Sequence, residues 1–192
     1  MFMRVFIAVL VLIFSLQSWS KADDIRDFQI EGMSVGDSLL DYVVKEEIEK
    51  KKWHYPNSKK WALFVKQESS FEVFDSFQVH FKEADGKYII GTIDGQISYE
   101  NNIEDCYKKM DEIVLELSEI FKDARKMDKE TTDHPLDKSG KFTDVTFWFE
   151  SGDLAMVECN DWSEESDLID KLIVKMGTKE FIDWINTEAY EN

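Results

Sequence analysis

Between residues 102 and 124 the apolar side chains Ile103, Cys106, Tyr107, Met110, Ile113, Val114, Leu117, Ile120 and Phe121 recur at spacings of three and four. A strand cannot gather them on one side, because its successive side chains alternate between faces. The spacing specifies an amphipathic helix of about six turns. Lys108, Lys109, Asp111, Glu112, Glu116 and Glu119 take its wet side. One apolar stripe has to be buried against another layer, and the rest of the chain offers mostly strands. Phe77, Val79 and Phe81 alternate with Gln78, His80 and Lys82, and Val145, Phe147 and Phe149 share a face. Ala155, Val157 and Cys159 share another. The pattern is α+β: a mainly antiparallel sheet of about six to seven strands, one long amphipathic helix packed on it, and short N- and C-terminal helices.

Local signals place the remaining elements. Residues 27–30 read as a first strand, and Ser38 followed by Asp41 opens a helix over residues 39–51. Pro56 and Asn57 mark a loop. Strands are predicted over residues 61–66, 71–82 and 87–99, the last either one strand with a bulge or two short ones, 87–93 and 96–99, about Asp94-Gly95; Asp85-Gly86 is a hairpin turn. Phe74 falls out of phase in the second of these, which implies a bulge or bend near Asp75 and Ser76. Residues 126–141 read as an exposed loop, 142–150 and 154–160 as a hairpin, and 168–176 as a last strand. Thr178 caps a C-terminal helix.

The first 22 residues, MFMRVFIAVLVLIFSLQSWSKA, read as an export signal. Arg4 supplies the positive start, residues 5–16 the apolar run, and Ser20 and Ala22 the small residues of a cleavage site after Ala22. The run is shorter than the roughly 20 residues of a membrane span. Residues 1–22 are therefore expected to be a cleaved secretory signal, and 23–192 a single globular domain, periplasmic or secreted, with no stable membrane insertion after cleavage. The chain is 43% hydrophobic and 14% aromatic, ample for a core. Loss of Arg4 and Lys21 with the signal leaves 21 basic residues against 40 acidic ones, a net charge of −19. Such a surface repels nucleic acid and anionic lipid. In an oxidising compartment the two cysteines, Cys106 on the helix stripe and Cys159 on an inward strand face, are expected to pair.

The stretches DDIRDFQIEGMSVGDSLLDYV, DGQISYENNIEDCYKKMDEIV and FWFESGDLAMVECNDW resemble small exported proteins of unknown function from marine alphaproteobacteria of the Pelagibacter type. The likeness covers most of the mature chain. It implies Gram-negative export and supports the pairing of Cys106 with Cys159, and it brings no activity with it.

Chemistry-bearing motifs are sparse. There is no GxSxG elbow and no phosphate-cradling glycine pattern, and no cofactor is expected. His80 shares a polar strand face with Gln78 and Lys82, where a carboxylate would make it a general base; an ordinary surface or groove histidine is the preferred reading. His54 and His134 sit beside prolines without ligand spacing. Asp161, Glu164, Glu165 and Asp167 offer oxygens for Ca²⁺, against a preferred reading as a helix start capped by Asp161 or Ser163. Trp148 with Trp162 suggests a sugar- or peptide-binding patch, against simple burial under a helix. The leading expectation is a non-enzymatic periplasmic binding or envelope accessory domain for a protein or small-molecule ligand. The alternatives are a small periplasmic hydrolase using acidic residues in a sheet-face cleft, and a Ca²⁺-stabilised interaction module.

Overall fold

The computed structural model describes residues 24–190 apart from 57, 69, 85, 101 and 136. The predicted export segment lies outside the described residues. The fold is α+β. Nine strands are described: β1 Trp53–Tyr55, β2 Ser58–Gln67, β3 Ser76–Lys82, β4 Ile89–Ser98, β5 Arg125–Lys126, β6 Glu130–His134, β7 Asp137–Trp148, β8 Leu154–Asp161 and β9 Lys171–Gly177. They form one antiparallel sheet in the order β1-β2-β3-β4-β9-β8-β7-β5, with β6 also paired to β7. Helices are α1 Lys45–Lys51, α2 Ile103–Ile120 and α3 Lys179–Thr187.

The predicted stripe is the buried face of α2, with Cys106, Met110, Val114 and Leu117 turned inward. It packs on β8 and β9. On this face one cross-strand row, Phe64, Val79, Ile93, Met176, Ala155 and Phe147, runs across six strands, and every member is buried. Cys106 and Cys159 are bonded there, with Cα atoms 6.1 Å apart across 53 positions of sequence. The opposite face carries a smaller core, where α3 lays Phe181 and Trp184 on Trp61. Thr178 caps α3 as expected, its side chain accepting the Phe181 N–H at 3.4 Å.

The structure corrects several expectations. The sheet has nine strands rather than six to seven. Part of the excess comes from residues 126–141, expected as a loop, which hold β6 and the start of β7. β6 is an edge strand whose side chains are polar and, His134 apart, exposed, and the start of β7 that pairs with it is polar as well, so no apolar alternation announces them. Residues 27–30 form no strand. A single 3-10 turn, Ile25–Asp27, ends there, opened by the Asp24 side chain, which accepts the Arg26 N–H. The helix expected over 39–51 is a 3-10 turn, Leu39–Asp41, followed by the separate α1. Its start is pinned to the sheet side: Leu39 N–H donates to Tyr88 and the Ser38 hydroxyl to Lys87. Of the two readings of residues 87–99 the structure takes the single bulged strand: Asp94-Gly95 is the middle of β4, paired on both sides to β3 and β9, and the register against β3 shifts at Gly91. A Cβ at Gly95 would lie 2.7 Å from the Phe74 ring, so glycine there admits an aromatic lid rather than a bend. The break expected near Asp75 and Ser76 is a bend rather than a bulge: the chain bends at Asp75, and Phe74 lies before β3, which begins at Ser76.

Candidate functional site

Both faces of the sheet hold candidates, and the helix face has the better-formed one. Between α2, the sheet and two loops lies a cleft of about 490 Å³. Ile113, Leu117 and Ile120 of α2 form one wall, and Ile97, Val174 and Met176 line the sheet side. The roof is made of residues 28–32 and 70–74. Phe74, Ile97, Ile113 and Ile120 pack on the core yet stay only half-buried. The cleft thus leaves apolar surface in water beside the core, at a cost of about 25 cal/mol per Å².

The roof is built by local turn chemistry. Ile30 and Met33 exchange backbone hydrogen bonds of 2.9 and 3.0 Å around Glu31 and Gly32. Both turn residues have positive φ, 49° and 80°, as a two-residue reversal of this hand requires. Gly32 adopts it freely, whereas Glu31 is strained by about 1 kcal/mol or more. The strain has a visible use. The Glu31 carboxylate accepts the backbone N–H groups of Glu72, Val73 and Phe74 at 3.3, 3.3 and 3.2 Å. One side chain therefore straps the two roof loops together and satisfies three donors that no strand partner takes.

The other face carries a polar row. Gln78, Asp94 and Lys175 are direct cross-strand neighbours on β3, β4 and β9, with His80 and Thr92 in the next row. Tyr55 Oη lies 2.7 Å from His80 Nδ1, and Gln78 Nε2 lies 3.0 Å from His80 Nε2 and 3.3 Å from Asp94 Oδ2. An amide nitrogen only donates, so His80 Nε2 accepts and the ring proton sits on Nδ1, toward Tyr55. Burial, helped by the Lys175 charge, pushes the His80 imidazole down to about 3 and keeps it neutral. Burial pushes the Asp94 carboxyl up to about 7; Lys175 opposes the rise and Glu158 adds to it. For Lys175, burial is outweighed by Asp94 and Glu158, which raise its pKa. Its Nζ lies 3.6 Å from Glu158 Oε2. Among the described residues, Asp94 Oδ1, Thr92 Oγ1, Trp61 Nε1 and Trp184 Nε1 are buried without a hydrogen-bond partner.

The residues singled out from the sequence are dispersed. His80 is on the polar face as expected, but only 8% exposed, its ring against Tyr55 and Phe181. Trp148 and Trp162 sit at opposite ends of the β7–β8 hairpin, about 26 Å apart along the strands. Trp148 is half-buried beside Leu154, and the Trp162 ring packs at a tilt against His134, centroids 4.0 Å apart. Asp161 ends β8, and Glu164, Glu165 and Asp167 are exposed in the turn beyond it. That segment starts no helix. The Ser163 and Trp162 N–H groups are taken by Asp137 and Asp170, and Ser166 N–H closes a turn on Ser163. Among the described residues no three His, Cys, Asp or Glu side chains gather to hold a metal ion. The cleft residues Phe74, Ile97, Ile113 and Ile120 and the strap Glu31 were not anticipated. The out-of-phase Phe74 was the one local sign of them.

Comparison with protein-family models, curated proteins and solved structures gives no match. No helix among the described residues is long and apolar enough to cross a membrane.

Proposed function

We propose that this chain is an exported, non-enzymatic binding domain of the cell envelope, and that it takes a small apolar molecule into the cleft between α2 and the sheet. The observation that carries this reading is the cleft itself. Its volume of about 490 Å³ falls in the range of about 300–1,000 Å³ typical of small-molecule sites. Its walls are apolar, and its helix is tied to the sheet by the Cys106–Cys159 bond, so the walls are held apart by a rigid frame rather than by the ligand. The bonded cysteines and the leader-like first 22 residues fit an oxidising compartment. The likeness to small exported proteins of the Pelagibacter type points the same way.

A hydrolase working from the polar face is disfavoured by the burial of His80 and Asp94, which are 8% and 2% exposed. The test is titration of the exported, oxidised protein with the neutral fluorophore 1-N-phenylnaphthylamine. Saturable one-to-one enhancement is expected, lost when Ile113→Trp fills the cleft and retained when Trp148→Ala alters the other face. No saturable enhancement, or enhancement indifferent to Ile113→Trp, overturns the proposal.

A further inference from the structure

We infer that the cleft selects apolar molecules with a cationic head, an amine or quaternary ammonium, over those with a carboxylate. This rests on the cleft being a binding site. Four charged residues line it: Glu31, Glu72, Glu116 and Lys109. Two are already engaged. Glu31 is spent on the three backbone N–H groups of the roof. Lys109 Nζ lies 3.0 Å from Glu112, with its side chain 24% exposed. Glu72 and Glu116 have no ion-pair partner among the described residues.

Glu72 comes from the roof and Glu116 from the wall, so two elements bring unpaired negative charge to the same opening. A molecule that slides its chain along Ile113 and Ile120 and leaves its head in water places that head beside these carboxylates. An ammonium group gains two partners there. A carboxylate meets two like charges, and the one rim lysine is already neutralised by Glu112. The chain's net charge of −17 adds a diffuse field of the same sign. Partly exposed pairs of this kind are each worth a few-fold in affinity, so the discrimination expected from both is about five- to tenfold.

The experiment displaces 1-N-phenylnaphthylamine from the exported, oxidised protein with decyltrimethylammonium, decanoate and decanol. At 50 mM NaCl the ammonium compound is expected to compete at about five- to tenfold lower concentration than decanoate, with decanol between them. In 1 M NaCl, where the Debye length is about 3 Å, the preference should collapse. It should also collapse at low salt in the double variant Glu72→Gln/Glu116→Gln, with decanol unaffected. Equal competition by decanoate at low salt overturns the inference. A preference that survives the double variant overturns it as well, because it then belongs to overall charge and not to the rim. In either case decanol still displaces the probe and the binding site stands. Failure of the probe to bind at all removes the site itself.

Discussion

Asp94 and His80 lie in neighbouring rows of the same sheet face and respond to protons in opposite directions. Asp94 has its pKa raised from 3.8 to about 7, so the folded protein holds this proton more tightly than the unfolded chain. Its contribution to stability is lost as pH rises from about 4 to about 7. His80 is lowered from 6.5 to about 3, so the folded protein resists its protonation. That contribution is lost as pH falls from about 6.5 to about 3. Between about pH 4 and 6.5 the two slopes oppose each other, with Lys175 and Glu158 as the charged neighbours. Relative to the native chain, Asp94→Asn should gain stability as pH rises from about 4 to 7, by up to about 4 kcal/mol. His80→Gln should gain by a similar amount as pH falls through its own window. Urea midpoints at six or more pH values test both, and profiles parallel to the native one would contradict the assignment. None of this was legible in the sequence. Asp94 precedes a glycine where the sequence allows either a turn or a bulged strand, and only pairing to β3 and β9 reveals that it is interior.

At the scale of elements, α2 was readable because its period is local: the same residues give the spacing and fill the core. Its partners were readable as alternating strands, and the match of the Cys106 stripe to the Cys159 face foretold the bond. What local spacing cannot carry is contact between distant loops. Glu31 straps residues 72–74, about 40 positions away, and that contact makes the roof of the cleft. Gly95 belongs to this scale too. Gly95→Ala drives a methyl group into the Phe74 ring, 2.7 Å away, and should cost about 1–3 kcal/mol. Phe74 lines the cleft, so the same variant should weaken 1-N-phenylnaphthylamine binding, read by fluorescence titration, while Ala substitution at exposed Glu119 should not. Replacing both Cys106 and Cys159 by Ala opens a loop of 53 positions and should cost about 2–4 kcal/mol in a thermal melt. A melt unchanged by the substitution would mean the helix is seated by its apolar stripe alone.

Across the whole molecule the dominant quantity is charge. Forty acidic residues against 23 basic ones push on one another in the compact state, and added salt mutes that repulsion. The melting midpoint should therefore rise between 50 mM and 500 mM NaCl. A fall would mean that ion pairs such as Lys52 with Glu83 and Lys82 with Glu180 outweigh the repulsion. The bond between α2 and β8 acts at this scale as well, through its position. Cys106 and Cys159 are both 0% exposed, so neither an oxidising enzyme nor a soluble thiol reaches the sulfurs in the finished fold. Oxidation has to precede the seating of the helix, and reduction has to wait for its departure. The rate at which a mild reductant cleaves the native bond thus becomes a clock for how often α2 lifts from the sheet, and for how often the cleft it walls comes apart.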